Sequence, residues 1–161
     1  MLKRILCSAL LFAFLVSLVS CGGDGAPVLS HCELRLQLPE GYASVDSDSY
    51  DAVYSNGDYM IALTRISFVA GTLEGIPETM TESEFADFYL EKCSREANVI
   101  SDGVTYAEYY EPSGGTEHFY LEAFYRSPYA YFVILFASDV SREAEARGVF
   151  LDLAEKVYFT D

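Results

Sequence analysis

The chain has 161 residues, 51% of them hydrophobic and 15% aromatic, with no tryptophan and a formal charge of −15 from ten Lys+Arg against 25 Asp+Glu. That length favours one domain. The charge excludes a phosphate-backbone binder, which needs clustered Lys and Arg, so nucleic acid is not an expected partner. The abundance of Tyr, Phe, Val and Leu excludes a disordered polymer. The charge is unevenly spread. Residues 1–20 hold Lys3 and Arg4 and no acid, so from Cys21 onward eight basic residues face 25 acidic ones, a charge of −17.

Met1-Leu2-Lys3-Arg4 is a short basic start, and Ile5 to Val19 is an apolar run broken by Cys7, Ser8 and Ser17. Fifteen residues fall short of the about 20 that a membrane span needs; the layout is that of a secretory signal peptide. The run closes on Leu18-Val19-Ser20-Cys21, followed by Gly22-Gly23-Asp24-Gly25-Ala26-Pro27. Leu18-Val19-Ser20-Cys21 resembles the lipobox of bacterial lipoproteins. The resemblance implies that the Cys21 thiol carries a diacylglyceryl group and that the chain is cut before it. Residues 1–20 would then be a lipoprotein signal peptide, 21–32 the lipidated Cys with a flexible tether, and 33–161 a single exported domain. Two or three acyl chains anchor stably where one binds marginally, so the membrane is an expected partner through Cys21. An ordinary signal cleavage site fits less well, because it wants a small residue where Leu18 stands.

Of the four cysteines, Cys7 falls in the signal and Cys21 takes the lipid. Cys32 and Cys93 remain, and an exported pair permits a disulfide. The competing reading makes Cys93 a small hydrophobe on the buried face of a helix.

Glu33 to Leu38 alternates strictly, with Leu34, Leu36 and Leu38 on one face, which predicts a half-buried strand. Pro39 to Tyr42 turns it, and Ser44 to Asp51 is polar. Tyr50–Tyr54 and Tyr59–Val69 predict two strands joined at Ser55-Asn56-Gly57-Asp58, with Asn-Gly suited to a type I′ turn. Gly71 to Met80 is expected to be a loop. Thr81-Glu82-Ser83-Glu84 reads as a capping box. It opens a helix with Phe85, Tyr89, Cys93 and Ala97 on one face and a Glu91–Arg95 pair at i,i+4 on another; Asn98 to Gly103 ends it. Strands follow over Val104–Glu111, Glu117–Arg126 and Tyr129–Ala137. The last is nearly all apolar, as a central strand covered on both faces should be. From Ser138 a final helix carries Ala146, Val149, Phe150, Leu153, Ala154 and Val157 as one stripe.

The order predicts an α+β domain: a mainly antiparallel sheet of about six strands with helices packed on it. Leu36-Gln37-Leu38-Pro39-Glu40-Gly41-Tyr42, the Ser55–Asp58 hairpin, the helix around Phe85-Ala86-Asp87-Phe88-Tyr89 and the paired strands leading into Phe150-Leu151-Asp152-Leu153 carry, by order and spacing, a likeness to a known fold. Together they resemble the Mog1/PsbP-like fold of small bacterial lipoproteins. The resemblance implies non-enzymatic partners of larger assemblies and no catalysis; none of the family's binding residues is matched. The alternative fold is a cystatin- or NTF2-like curved sheet.

The chemical inventory is thin. His31 and His118 are the two histidines, and neither sits in a nucleophile elbow, a phosphate loop or an HExxH helix. His118 is expected at an edge or surface. Asp46 to Asp51 fails as an EF-hand, with Asp51 where Gly belongs and Gly57 where Glu belongs, and reads as a solvated acidic loop. No cofactor or metal is expected. Of the thirteen tyrosines, Tyr106, Tyr109, Tyr110, Tyr120, Tyr125, Tyr129 and Tyr131 cluster in the last three strands, where β-propensity and core filling account for them. A functional reading makes Tyr106, Tyr110, Tyr120 and Glu122 an aromatic binding surface. The expected function is a membrane-anchored, non-catalytic binding or accessory module for a protein or cell-wall partner. A small-ligand or cation carrier and a carboxylate-based glycan hydrolase are the alternatives.

Overall fold

The computed structural model describes residues 26–160. The expectations for the signal peptide and for Cys21 therefore lie outside the described residues. Among the described residues, ten strands form two sheets. A small sheet joins β1 (Val28–His31), β2 (Leu34–Gln37) and β10 (Tyr158–Phe159) in the order β1-β2-β10. The large sheet contains β3 (Ala43–Ser44), β4 (Ala52–Ser55), β5 (Tyr59–Ser67), β6 (Val99–Asp102), β7 (Val104–Ser113), β8 (Thr116–Arg126) and β9 (Ala130–Asp139). Its order is β3-β4-β5-β9-β8-β7-β6, antiparallel at every pair. Helices α1 (Phe68–Leu73), α2 (Glu82–Lys92) and α3 (Glu143–Ala154) complete the fold.

The apolar run of β9 lies in the middle of the large sheet, buried from Ala130 to Ser138 as its composition requires. Alternation then divides the sheet into two faces. One carries Tyr59, Ile61, Leu63, Phe119, Leu121, Phe132, Ile134 and Phe136, packed against α3, against Leu29, Leu34 and Leu36 of the small sheet, and against Leu38 just after β2. Phe150 of α3 anchors this face, stacked on Phe119 and Phe136 and edge-on to Tyr59. The Tyr125 hydroxyl donates to the Ala154 carbonyl at 2.8 Å. The other face carries Phe124, Tyr131 and Val133 beneath Phe85, Ala86, Tyr89 and Leu90 of α2.

Four local outcomes differ from expectation. The fold starts earlier than Glu33: β1 occupies residues read as tether, and Gln37 Nε2 already donates to the Ala26 carbonyl at 2.8 Å. The residues after Ser67 turn into α1 instead of extending the strand, because the Ser67 side chain caps the Ala70 N–H. At Ser55–Asp58 only Gly57 takes a positive φ, 92°, so the turn is not type I′. Asn56 instead closes it with its side chain, Oδ1 accepting from the N–H groups of Asp58 and Tyr59. The two-residue turn with both φ values positive is Gly114-Gly115, which sets Ser113 opposite Thr116.

The capping box forms as expected: Thr81 Oγ1 accepts from Glu84 N–H, and the Glu84 carboxylate from Thr81 N–H. The helix, however, stops at Lys92 rather than running to Ala97. Ser94 N–H donates to the Glu91 carbonyl and Arg95 N–H to the Leu90 carbonyl, the two bonds of a Schellman motif, with Ser94 in the left-handed region at φ 55°. The chain leaving this stop lays β6 along the sheet edge.

Candidate functional site

The four residues read as one aromatic surface are not together. Ser113 opposite Thr116 pairs each even position of β7 with an odd position of β8. Tyr106 and Tyr110 therefore share the α3 face, and Tyr110 is 46% exposed. Tyr120 and Glu122 lie on the opposite face, both buried. The proposed surface dissolves, and a different arrangement replaces it.

On the α2 face, Tyr109 and Tyr120 are cross-strand partners with rings stacked 5.2 Å apart. The Schellman turn brings Arg95 over them. Its guanidinium sits 4.7 Å from the Tyr109 ring centroid. Nη1 donates to Glu122 Oε1 at 2.6 Å and Nε to Glu111 Oε1 at 3.3 Å. The expected Glu91–Arg95 pair is thus replaced, because Arg95 has left the helix. Glu122 is only 2% exposed. Burial pushes its pKa above the ordinary carboxylate value, against the pull of Arg95. For Arg95 burial works toward a lower pKa, and the Glu122 carboxylate overrides it and holds the guanidinium charged. The Tyr109 hydroxyl lies close enough to favour the carboxylate, yet neither it nor Glu122 Oε2 makes a hydrogen bond of normal geometry. Burial and then the Glu122 charge push Tyr50 to about 12. This is a rigid, charged joint between the tail of α2 and the sheet.

Further along the same face, past Tyr120, α2 no longer covers the strands. A cleft of about 340 Å³ opens there, between the Gly57–Asp58 turn, the β7–β8 turn and the end of β9. Its apolar floor is Met60 and Ala137, and its polar lining includes His118, Asp58, Asp139 and Arg142. His118 was expected at an edge or surface; it sits inside the sheet, 8% exposed, opposite Glu111 on β7 and Asp139 on β9. Asp139 caps the turn at residues 140–142 by accepting from Ser141 N–H at 2.8 Å. Hydrogen bonds from Ser141 lower its pKa, with His118 and Arg142 adding to the effect. Arg142 reaches across to Asp58 at 3.0 Å.

Cys32 and Cys93 are both in the thiol form and are not bridged. Cys32 occupies the exposed β1–β2 turn at φ 49°, and Cys93 is the C-cap of α2. His31 ends β1, apart from the cleft lining. Asp51 of the acidic loop accepts from Arg65 N–H at 2.6 Å. Sequence reasoning missed Arg95 and the cleft. The signal for the first was faint, since Ser rather than Gly marks the helix stop.

No protein-family signature matches the chain, and no curated protein matches it in sequence. Solved structures do resemble it. The solution structure of cyanobacterial PsbP from Synechocystis aligns over 88% of this chain and 98% of that one, with a TM-score of 0.57 and 16% identity. LpqN of Mycobacterium tuberculosis, described as involved in cell envelope biogenesis, aligns over 80% and 83% with a TM-score of 0.50 and 9% identity. A Bacteroides thetaiotaomicron protein aligns over 80% of this chain and 45% of its own length, with a TM-score of 0.51 and 10% identity. The fold is therefore a PsbP-like α+β fold. Among the described residues no helix is long and apolar enough to cross a membrane.

Proposed function

We propose that the protein is a non-catalytic binding or accessory module of the bacterial cell envelope, held outside the cytoplasm by lipid on Cys21. The observation that carries this reading is a PsbP-like fold, shared with an envelope protein, behind a lipobox-like Leu18-Val19-Ser20-Cys21. The charges support it. A glycan hydrolase pairs two carboxyls in one cleft and raises the pKa of one to serve as acid. Glu108 and Glu122 both have raised pKa values, but they lie on opposite faces of the sheet. In the cleft, Asp139 is shifted the other way.

The distance to the membrane follows from chain length. Ala26 is already tied to Gln37, and the five steps from Cys21 to Ala26 span at most about 18 Å. The leash is shorter than residues 21–32 would make it. An acidic domain held this close to acidic lipid is repelled from it and stands off the surface. Growth with an alkyne-tagged fatty acid tests the anchor. The wild type should label and sediment with membranes, and Cys21→Ala should do neither. A Cys21→Ala protein that still labels would overturn the assignment.

A further inference from the structure

We propose that the cleft around His118 is a binding site for a neutral, hydroxyl-rich small molecule, a saccharide unit. The volume, about 340 Å³, falls at the lower end of small-molecule sites, which run from about 300 to 1,000 Å³. The lining selects the chemistry. Asp58 and Asp139 line the cleft, and the cations beside them are engaged: Arg142 pairs with Asp58, and His118 lies opposite Asp139 and helps hold its pKa down, so an anion finds no uncommitted positive charge. A metal ion lacks ligands: among the described residues, no group of three or more His, Cys, Asp or Glu converges to hold one. A purely apolar ligand would strip water from two carboxylates and a guanidinium without replacing their hydrogen bonds.

A polyol answers each of these groups. Asp58 gives one oxygen to Arg142 and Asp139 gives one to Ser141 N–H; a carboxylate accepts several hydrogen bonds, so each keeps acceptor capacity for hydroxyl groups. Arg142 has five N–H donors and keeps donor capacity beyond its pairing with Asp58. Met60 and Ala137 offer apolar lining to the C–H face of a ring. The supports are rigid. His118 and Asp139 are register partners on adjacent central strands, and Asp58 is fixed by the Asn56 side chain. A site on strands positions its groups better than one on loops.

The inference goes beyond the binding-module reading by naming a ligand class, and its test does not depend on the anchor. With two histidines in the chain, imidazole resonances report directly: His118 lines the cleft and His31 serves as an internal control. The full-length protein in detergent micelles is titrated at fixed pH with N-acetylglucosamine and with glucose. Saturable movement of the His118 resonances at millimolar sugar, with His31 unmoved, is the expected result. Asp139→Asn keeps the turn cap and should weaken binding at least about tenfold, the loss of one charge-assisted hydrogen bond. Arg142→Gln, at an exposed position, should do the same. Three results would overturn the proposal: no His118 movement with either sugar, movement only with inorganic phosphate or calcium, or equal affinity in wild type and both variants.

Discussion

Replacing Arg95 by methionine removes the counter-charge of a buried carboxylate and keeps most of the side-chain volume. In the native protein the guanidinium is 2.6 Å from Glu122 Oε1, which is almost fully buried. With charge centres about 4 Å apart and an effective dielectric constant of about 20, the attraction is about 4 kcal/mol. Breaking a buried pair by removing one partner costs about 3–5 kcal/mol, because the other charge is left uncompensated. Loss of the Arg95–Tyr109 contact acts in the same direction. The cost also has a pH signature. Burial raises the Glu122 pKa above the ordinary 4.5, so the folded state holds that proton more tightly than the unfolded chain. Stability from this group is complete below the unfolded pKa and is lost as pH rises through the folded one. Removing Arg95 raises the folded pKa further. Arg95→Met should therefore destabilise by about 3–5 kcal/mol at pH 7 and by much less near pH 4. Urea denaturation of both proteins across that range measures it. A cost below about 1 kcal/mol at pH 7, or one independent of pH, would refute the reasoning. The double variant Arg95→Met, Glu122→Leu should recover most of the loss, since apolar replacement of a whole buried pair is often neutral or stabilising.

Three further outcomes follow from local geometry. Ser94→Gly should stabilise the fold by roughly 0.5–1 kcal/mol, because a left-handed φ costs a non-glycine residue about 1–2 kcal/mol, partly offset by the entropy of glycine in the unfolded chain; denaturant midpoints decide it, and a loss of stability would contradict the Schellman assignment. Phe150→Ala removes the ring that touches Tyr59, Phe119 and Phe136 and should cost about 3–5 kcal/mol in the same assay; a cost below about 1 kcal/mol would mean that α3 is not docked through it. Cys32 and Cys93 should both take up iodoacetamide in denaturant without reductant, with Cys32 reacting first in the native protein; uptake that waits for reductant would show a bridge.

The sheet's composition was legible and its register was not. Period-2 alternation and the apolar run of β9 led directly to the central strands, and the Thr81–Glu84 spacing to the start of α2. Which tyrosines share a face depended on a single turn. Gly114-Gly115 as a two-residue loop sets 113 opposite 116, and every side chain on β7 and β8 follows from that. Asn56-Gly57 carries the stronger type I′ signal in sequence, yet the two-residue loop with both φ values positive forms at Gly114-Gly115. Short partners were missed for a different reason. β1, β6 and β10 have two to four residues each and are held by pairing rather than by any pattern of their own. Arg95 followed the helix stop: a Ser at the left-handed position gives no local warning that the next side chain will cross to the sheet.

The central claim, a PsbP-like domain anchored through Cys21, is tested most directly by the intact mass of the protein purified from membranes. The account predicts a chain that begins at Cys21 and carries diacylglyceryl with or without a further acyl group, and whose mass falls by the two ester-linked acyl chains after mild base, leaving the glyceryl thioether on Cys21. A mass that retains residues 1–20, or one that starts elsewhere and carries no lipid, would contradict it.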